Sequence, residues 1–298
     1  MSRLIKIIAC LACVLLFQTS FAQIGNNWVF GQFAGLDFGE IPPKPFESNI
    51  HSYSYSTGDT VNARAASSIS DCQGNLLFYT DGCKIWDSTH QIMSNGNLGC
   101  YGTTNTKIPL SSYIIPKPGS NTKFYVFYSW EEKSNRGFHY SLIDMSRGNG
   151  KGKVIQKNQL IKKGGRPTGF LTVIEHENNK DYWLVFLYNT GNIVNRDYKF
   201  FVYPVTKNGI GSPNIQNVNI DINRGAIFEI LKNTPNGEHL LLNARNQYGF
   251  NNFIALRYDF NKKNGNISNQ QGLLKRNQVH SNAVAVKIGG IAASPNNQ

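Results

Sequence analysis

The stretch "SSISDCQGNLLFYTDGCKIWD", residues 67–87, decides how this chain is read. It runs strand, turn, strand, turn, strand, with polar turns holding Gly or Asn between the apolar runs. Its middle strand, Leu76 to Thr80, is apolar on both alternating faces in Leu76-Leu77-Phe78-Tyr79. A strand covered on both faces needs a sheet above it and another below, so a hairpin of this size cannot fold alone. The stretch must belong to a series.

The series is present. The strand-turn-strand pattern returns as "SYIIPKPGSNTKFYVFYSW", "LTVIEHENNKDYWLVFLYN" and "FEILKNTPNGEHLLLNARN", and the chain ends on "GIAASPNNQ". Taking Leu76, Phe124, Tyr182 and His239 as equivalent gives spacings of 48, 58 and 57 residues, the periods of a propeller or a solenoid. After each copy comes a second hydrophobic run that alternates, as in His139-Tyr140-Ser141-Leu142-Ile143, the mark of a half-buried strand. Blades packed radially supply both environments, a doubly covered inner part and a more polar outer strand. The expected fold is therefore an all-β propeller of four-stranded blades over residues 23–298, with about five blades represented. The last copy stops after its first strand and turn, so the expected propeller is incomplete, truncated at the C-terminus. A five-bladed closure that uses the N-terminal segment is the alternative.

Composition agrees. A hydrophobic share of 40% in 298 residues supplies a sizeable core and excludes a disordered chain, while only 16% of residues are charged. Residues 1–22 carry Arg3 and Lys6, an apolar run from Ile7 to Phe17 and the triplet Ser20-Phe21-Ala22, the layout of a secretory signal peptide cleaved after Ala22. The run is shorter than the roughly 20 residues that span a bilayer, and no later stretch approaches that length, so the mature chain is expected without a transmembrane segment. Cleavage leaves 28 basic and 18 acidic residues, a formal charge of +10. Of the remaining cysteines, Cys72 and Cys83 flank the strand Leu76 to Thr80, about 20 Å apart at strand rise, too far for a disulfide. Cys83 with Cys100 is the candidate pair.

The aligned segments "NNWVFGQFAGLDF", "SISDCQGNLLFYTDGCKIWD", "HQIMSNG", "YIIPKPGSNTKFYVF", "HYSLIDM" and "SPNNQ" resemble, in this order, the N-terminal β-propeller regions of exported Bacteroidetes proteins, many of which end in a gliding-motility-associated C-terminal domain. The resemblance implies a secreted or cell-surface propeller, exported by the Sec route and then the type IX system. That group's C-terminal sorting domain is absent from this sequence, and the resemblance brings no catalytic residues.

Motifs of chemistry are sparse. His51, His90, His139, His176, His239 and His280 lack any metal-ligand spacing, so neither a metal site nor a cofactor is expected. Asp71, Asp81, Asp87, Asp144 and Asp259 fall at strand ends or turns, where Asp bonds nearby backbone. There is no nucleophile elbow, phosphate loop, dinucleotide loop or EF-hand. The one charge run, "RGNGKGKVIQKNQLIKKGGRP" at residues 147–167, carries Arg147, Lys151, Lys153, Lys157, Lys162, Lys163 and Arg166 without an acid. It is either a site for an anionic polymer or a solvated connection whose lysines discourage edge pairing. No aromatics interleave with it, so specific nucleic-acid binding is not expected. Among the tryptophans, Trp130 beside Glu131 and Glu132 is the candidate for a sugar-stacking position on the rim. The expected function is a non-catalytic, exported or cell-surface module that binds a surface protein or an anionic polysaccharide. An extracellular hydrolase of glycans or esters is one alternative, and a truncated product without independent function is another.

Overall fold

The structure, a computed structural model, describes residues 25–274 apart from 31–32, 51–52, 55–59, 62–65, 100–108, 131–136, 164–165, 192–196, 219–225 and 247–252. Every regular element among the described residues is a β-strand. An N-terminal sheet of three antiparallel strands comes first, β1 (Asn27–Val29), β2 (Ala34–Asp37) and β3 (Lys44–Glu47). A two-stranded ribbon, β4 (Tyr53–Ser54) and β5 (Thr60–Val61), follows it.

Four antiparallel meanders then succeed one another. The first is β6 (Ser67–Ser70), β7 (Leu76–Thr80), β8 (Lys84–Asp87) and β9 (Ile92–Asn97). The second is β10 (Pro109–Pro116), β11 (Lys123–Trp130), β12 (Gly137–Asp144) and β13 (Lys153–Lys163). In the third, β14 (Arg166–Glu175), β15 (Tyr182–Asn189) and β16 (Tyr198–Thr206) are completed by an outer strand broken into β17 (Gly209–Ile210) and β18 (Asn214–Asn217). The fourth is β19 (Ala226–Asn233), β20 (His239–Asn246), β21 (Phe253–Phe260) and β22 (Ile267–Leu274). The first two meet at their outer strands through a single parallel pair, Lys153 with Ser94, and so form one eight-stranded sheet.

The positions aligned at 48, 58 and 57 residues all fall in the second strands, β7, β11, β15 and β20. Of these, β7, β11 and β15 are doubly apolar because each is sandwiched between two cores. In β11, Phe124, Val126, Tyr128 and Trp130 face Ile69, Phe78, Ile85 and Met93 of the first meander. Its alternate residues Tyr125 and Phe127 face Leu184, Phe186 and Phe201 of the third. In β15 the other face carries Trp183, Val185 and Leu187 to Leu240, Leu242 and Tyr258 of the fourth. Period-two alternation thus sends each strand's side chains into two different cores. The first strands also run side by side in chain order, β1 against β6, β6 against β10, β10 against β14 and β14 against β19.

Turn chemistry follows the sequence. Asp71 Oδ1 accepts the amides of Gln73 and Asn75, Asp81 Oδ1 those of Cys83 and Lys84, Asp87 Oδ1 those of Thr89 and Gln91, and Asp144 Oδ1 that of Ser146. Each carboxylate satisfies amides that the reversing chain leaves without a ladder partner. Cys83 is fully buried and disulfide-bonded, and Cys72 is an exposed thiol. The predicted partner Cys100, the predicted signal peptide and the last repeat copy "GIAASPNNQ" lie outside the described residues.

Candidate functional site

An antiparallel meander places its first and third turns at the same end. At that end of the first meander, the N-terminal sheet leaves an open cleft of about 560 Å³. One wall is formed by Asp37, Gly39, Glu40 and Lys44 to Phe46, the other by Gln73 to Leu76, Ser88 and His90. Asn27, Asp37 and Lys44 stand opposite one another across the three strands, and cross-strand partners share a face. The sheet therefore presents an amide, a carboxylate and an ammonium in one row.

Asn27 joins the two walls. It is buried; its backbone amide and Nδ2 both donate to Ser70 Oγ (3.3 and 3.1 Å), Nδ2 also donates to Gly74 O (2.7 Å), and its carbonyl accepts Ser68 Oγ (2.5 Å). Gly74 turns the wall at φ +90°, where a side chain would be strained and would also meet Asn26. Asp37 Oδ1 accepts the Gly39 amide at 2.8 Å, which orients the carboxylate and leaves Oδ2 without a partner among the described residues. Glu40 is exposed in the loop just beyond.

His90 is clamped. It adopts φ +62°, its amide donates to Asp87 O (3.0 Å) and its carbonyl accepts Asn49 Nδ2 (2.6 Å). Its ring stacks on Phe46, centroids 5.8 Å apart, and its Nδ1 lies 3.2 Å from the Tyr79 hydroxyl. Tyr79 is fully buried and stacks on Trp86 at 5.3 Å. Burial, opposed by the Asn49 amide and assisted by Asp87 and Asp81, pushes its phenol up to about 12. Two carboxylates, an imidazole and an ammonium around one open space form a set that can bind a polyhydroxylated molecule and move protons within it.

None of these residues had been singled out as a site. Asp37 and Glu40 sit in "LDFGE", and the signal that could have found them is two carboxylates three residues apart, although Asp37 caps the Gly39 amide just as Asp71 and Asp87 cap their own turns.

The predicted basic run is distributed over the turn before β13, β13 itself and the start of β14. Arg147 reaches back to Asp144 (3.6 Å), Lys151 Nζ donates to Thr89 Oγ1 (3.2 Å), and Lys157 Nζ donates to Asn95 Oδ1 and Asn97 O (both 3.0 Å). Lys162 Nζ lies 5.4 Å from the Tyr188 and Phe201 ring centroids. Lys153 and Lys163 are exposed at the ends of β13, and Arg166 opens β14. Lys153, Lys157, Lys162 and Lys163 thus lie along the outer strand β13, and Lys151, Lys157 and Lys162 reach neighbouring segments. The rim position expected of Trp130 is corrected: its ring is fully buried at the end of β11, against Tyr128 (5.2 Å) and His139 (4.7 Å), with Nε1 donating to Gly82 O at 3.2 Å. A partner for both ring and N–H in the interior outweighs a place in water.

The other histidines are apart. His139 is buried, His176 stacks on Trp183 at 5.3 Å, His239 Nδ1 lies 3.0 Å from Asp259 Oδ1, and His51 and His280 fall outside the described residues. No group of three His, Cys, Asp or Glu among the described residues could hold a metal. Among them, too, no helix is long and apolar enough to cross a membrane.

No protein-family model and no curated protein matches this chain. It is similar to a solved structure from Bacteroides uniformis described as a candidate 6-phosphogluconolactonase, at 11% identity and a TM-score of 0.44, over 93% of this chain and 71% of that one. It is also similar to an exo-β-1,3-galactanase from Phanerochaete chrysosporium, solved with β-1,3-galactotriose (11% identity, TM-score 0.35, over 74% of this chain) and with galactose (11%, 0.35, over 76%). The chain spans about half the length of the galactanase, 52 and 53% in the two structures. The proteins in these structures are described as enzymes, which stands against the expectation of a non-catalytic binding module. At these scores the likeness assigns neither activity nor substrate, and what the cleft does is argued from its own residues.

Proposed function

We propose that this protein is an exported hydrolase of glycans, with Asp37 and Glu40 as its working carboxylates. The observation that supports the reading best is the cleft, one wall of which carries both carboxylates and Lys44 and the other His90, with Asn27 holding the two walls together. Hydrolysis of a glycosidic bond needs one carboxyl to protonate the leaving oxygen and a second to activate water or attack the sugar carbon. The bond between the anomeric carbon and the leaving oxygen breaks, water supplies the hydroxyl and the proton, and no other reactant is consumed. Asp37, oriented through Oδ1 by the Gly39 amide, suits the fixed role, and the exposed Glu40 suits proton exchange with solvent. The Asn75 amide and the Phe46 ring, which line the cleft, offer a hydrogen bond and an apolar surface to sugar.

In the same reading the four meanders are blades around an axis, supported by the side-by-side first strands and the alternating cores. Export rests on the layout of residues 1–22. The test is release of reducing ends from a panel of β-linked oligosaccharides, with Asp37→Asn and Glu40→Gln beside the unaltered protein. Each variant is expected to lose at least about 100-fold in rate. Activity that survives both substitutions, or none on any glycan, removes the proposal.

A further inference from the structure

We infer that Tyr79 fixes His90 as the Nε2–H tautomer, so that the imidazole serves the cleft as a hydrogen-bond donor and not as its general base. The tautomer rests on geometry alone; its role toward substrate rests on the hydrolase reading above.

Three groups meet at one buried oxygen. The Asn49 amide donates to the Tyr79 hydroxyl at 3.0 Å, and His90 Nδ1 lies 3.2 Å from the same oxygen. An amide can only donate, so that contact has a fixed direction. The contact to His90 has two possible directions. If Nδ1 carried the proton it would donate to the phenol, and the phenol's own proton would have no acceptor among the described residues. Tyr79 is fully buried, so that proton would forfeit its hydration without replacement. If the phenol donates to Nδ1 instead, every group at the junction is satisfied. Burial also holds the phenol's ionisation at about 12, so its proton stays in place at neutral pH. The second arrangement is favoured by at least about tenfold in population.

The rest of the clamp makes this tautomer useful. The Phe46 ring covers one face of the imidazole, and the backbone of His90 is held on both sides, by Asp87 O at its amide and by Asn49 Nδ2 at its carbonyl. Nε2 has no hydrogen-bond partner among the described residues. It is left to the cleft as a fixed N–H, ready for an oxygen acceptor such as a sugar hydroxyl or the bridging oxygen of a glycoside. Tyr79 is then a positioning residue that acts through His90, and proton abstraction falls to Asp37 or Glu40.

The test is long-range 1H–15N correlation of the imidazole in uniformly labelled full-length protein, above the pH range in which histidine titrates. His90→Gln assigns the signal by deleting it. The expected spectrum has Nδ1 at the unprotonated, pyridine-like position and Nε2 at the protonated, pyrrole-like one. In Tyr79→Phe the two shifts should move toward each other as the tautomers mix, and kcat on any glycan substrate should fall several-fold with KM little changed. A His90 protonated on Nδ1 in the unaltered protein overturns the inference, as does an imidazole spectrum unchanged in Tyr79→Phe. If Tyr79→Phe does not fold, the unaltered spectrum decides alone. An Nε2–H tautomer in a protein that hydrolyses no glycan keeps this inference and removes the hydrolase reading.

Discussion

Truncating Phe186 to alanine tests whether the sheets stack as packed layers. Phe186 is fully buried in β15, and its ring lies 3.9 Å from Phe138 of the second meander, nearly parallel at 16°. Within its own sheet it stacks on Phe201 at 5.7 Å and Tyr203 at 5.4 Å. A buried Phe→Ala change costs roughly 3–5 kcal/mol through lost transfer energy and the cavity left behind. Because three rings lose their partner at once, the upper half of that range is expected. The Phe138 contact can be isolated with Phe138→Ala and the double variant, and the coupling energy should be about 0.5–1.5 kcal/mol. The assay is equilibrium unfolding in urea, followed by circular dichroism and tryptophan fluorescence on the same samples. Trp28→Ala serves as the control, because Trp28 is 53% exposed and its loss should change stability by no more than about 0.5 kcal/mol. A Phe186→Ala cost below about 1 kcal/mol, or a coupling near zero, would refute the stacked arrangement, since neither is compatible with a close-packed seam.

Three further outcomes are expected. Gly35→Ala would drive a methyl group into the Phe46 ring, costing roughly 1–3 kcal/mol, and by moving Phe46 off His90 should lower any glycan hydrolysis while the fourth meander keeps its spectrum. Cys83→Ser should destabilise the fold by about 2–4 kcal/mol in thermal unfolding, and a reductant should make the unaltered protein match it. Three carboxyls are held below their ordinary range, chiefly by the Ser146 hydroxyl at Asp144, the Thr190 hydroxyl at Asp197 and the Asn269 amide at Asp259. A depressed folded-state value contributes stability that is present above the unfolded value near 4 and lost as pH falls through the folded one. Unfolding midpoints should therefore drop below about pH 4, with a shallower fall in Asp259→Asn; an equal slope in that variant would contradict the assignment.

The meanders were legible because their second strands carry apolar residues on both faces, a pattern only stacked sheets can use, and because the turn aspartates recur beside them. Trp130 was misplaced because its neighbours Glu131 and Glu132 suggest solvent, whereas the indole's partners, Tyr128, His139 and Gly82, include one 48 residues distant. The cleft was hidden for a similar reason. Asp37 and Lys44 come from one sheet, Gln73 to Leu76 and His90 from another, and what brings them together is Asn27 bonding to Ser70 and Gly74 across 43 and 47 residues. No spacing rule reports a site assembled across a seam. The basic run was visible as charge, whereas the contacts of Lys157 and Lys162 depend on what lies beside β13, namely the carbonyl and amide oxygens of β9 and the rings of Tyr188 and Phe201.

The single parallel pair between Lys153 and Ser94 has a consequence for how such a chain can change over generations. The third meander completes its own backbone ladder and meets the fourth without any strand pairing, through side chains such as Thr172 Oγ1 donating to Asn233 Oδ1 and Gln216 Nε2 donating to Gly265 O, and through one bond between turns, from the Glu177 amide to Lys262 O. Duplicating or deleting one of those units would disturb a seam without strand pairing and leave every ladder whole. The first two are different, because their outer strands share backbone pairing reinforced by Asn95 Nδ2 on Val154 O and Asn158 Nδ2 on Leu98 O. They form a welded pair that recombination must carry as one piece, and the wall of the cleft travels with it.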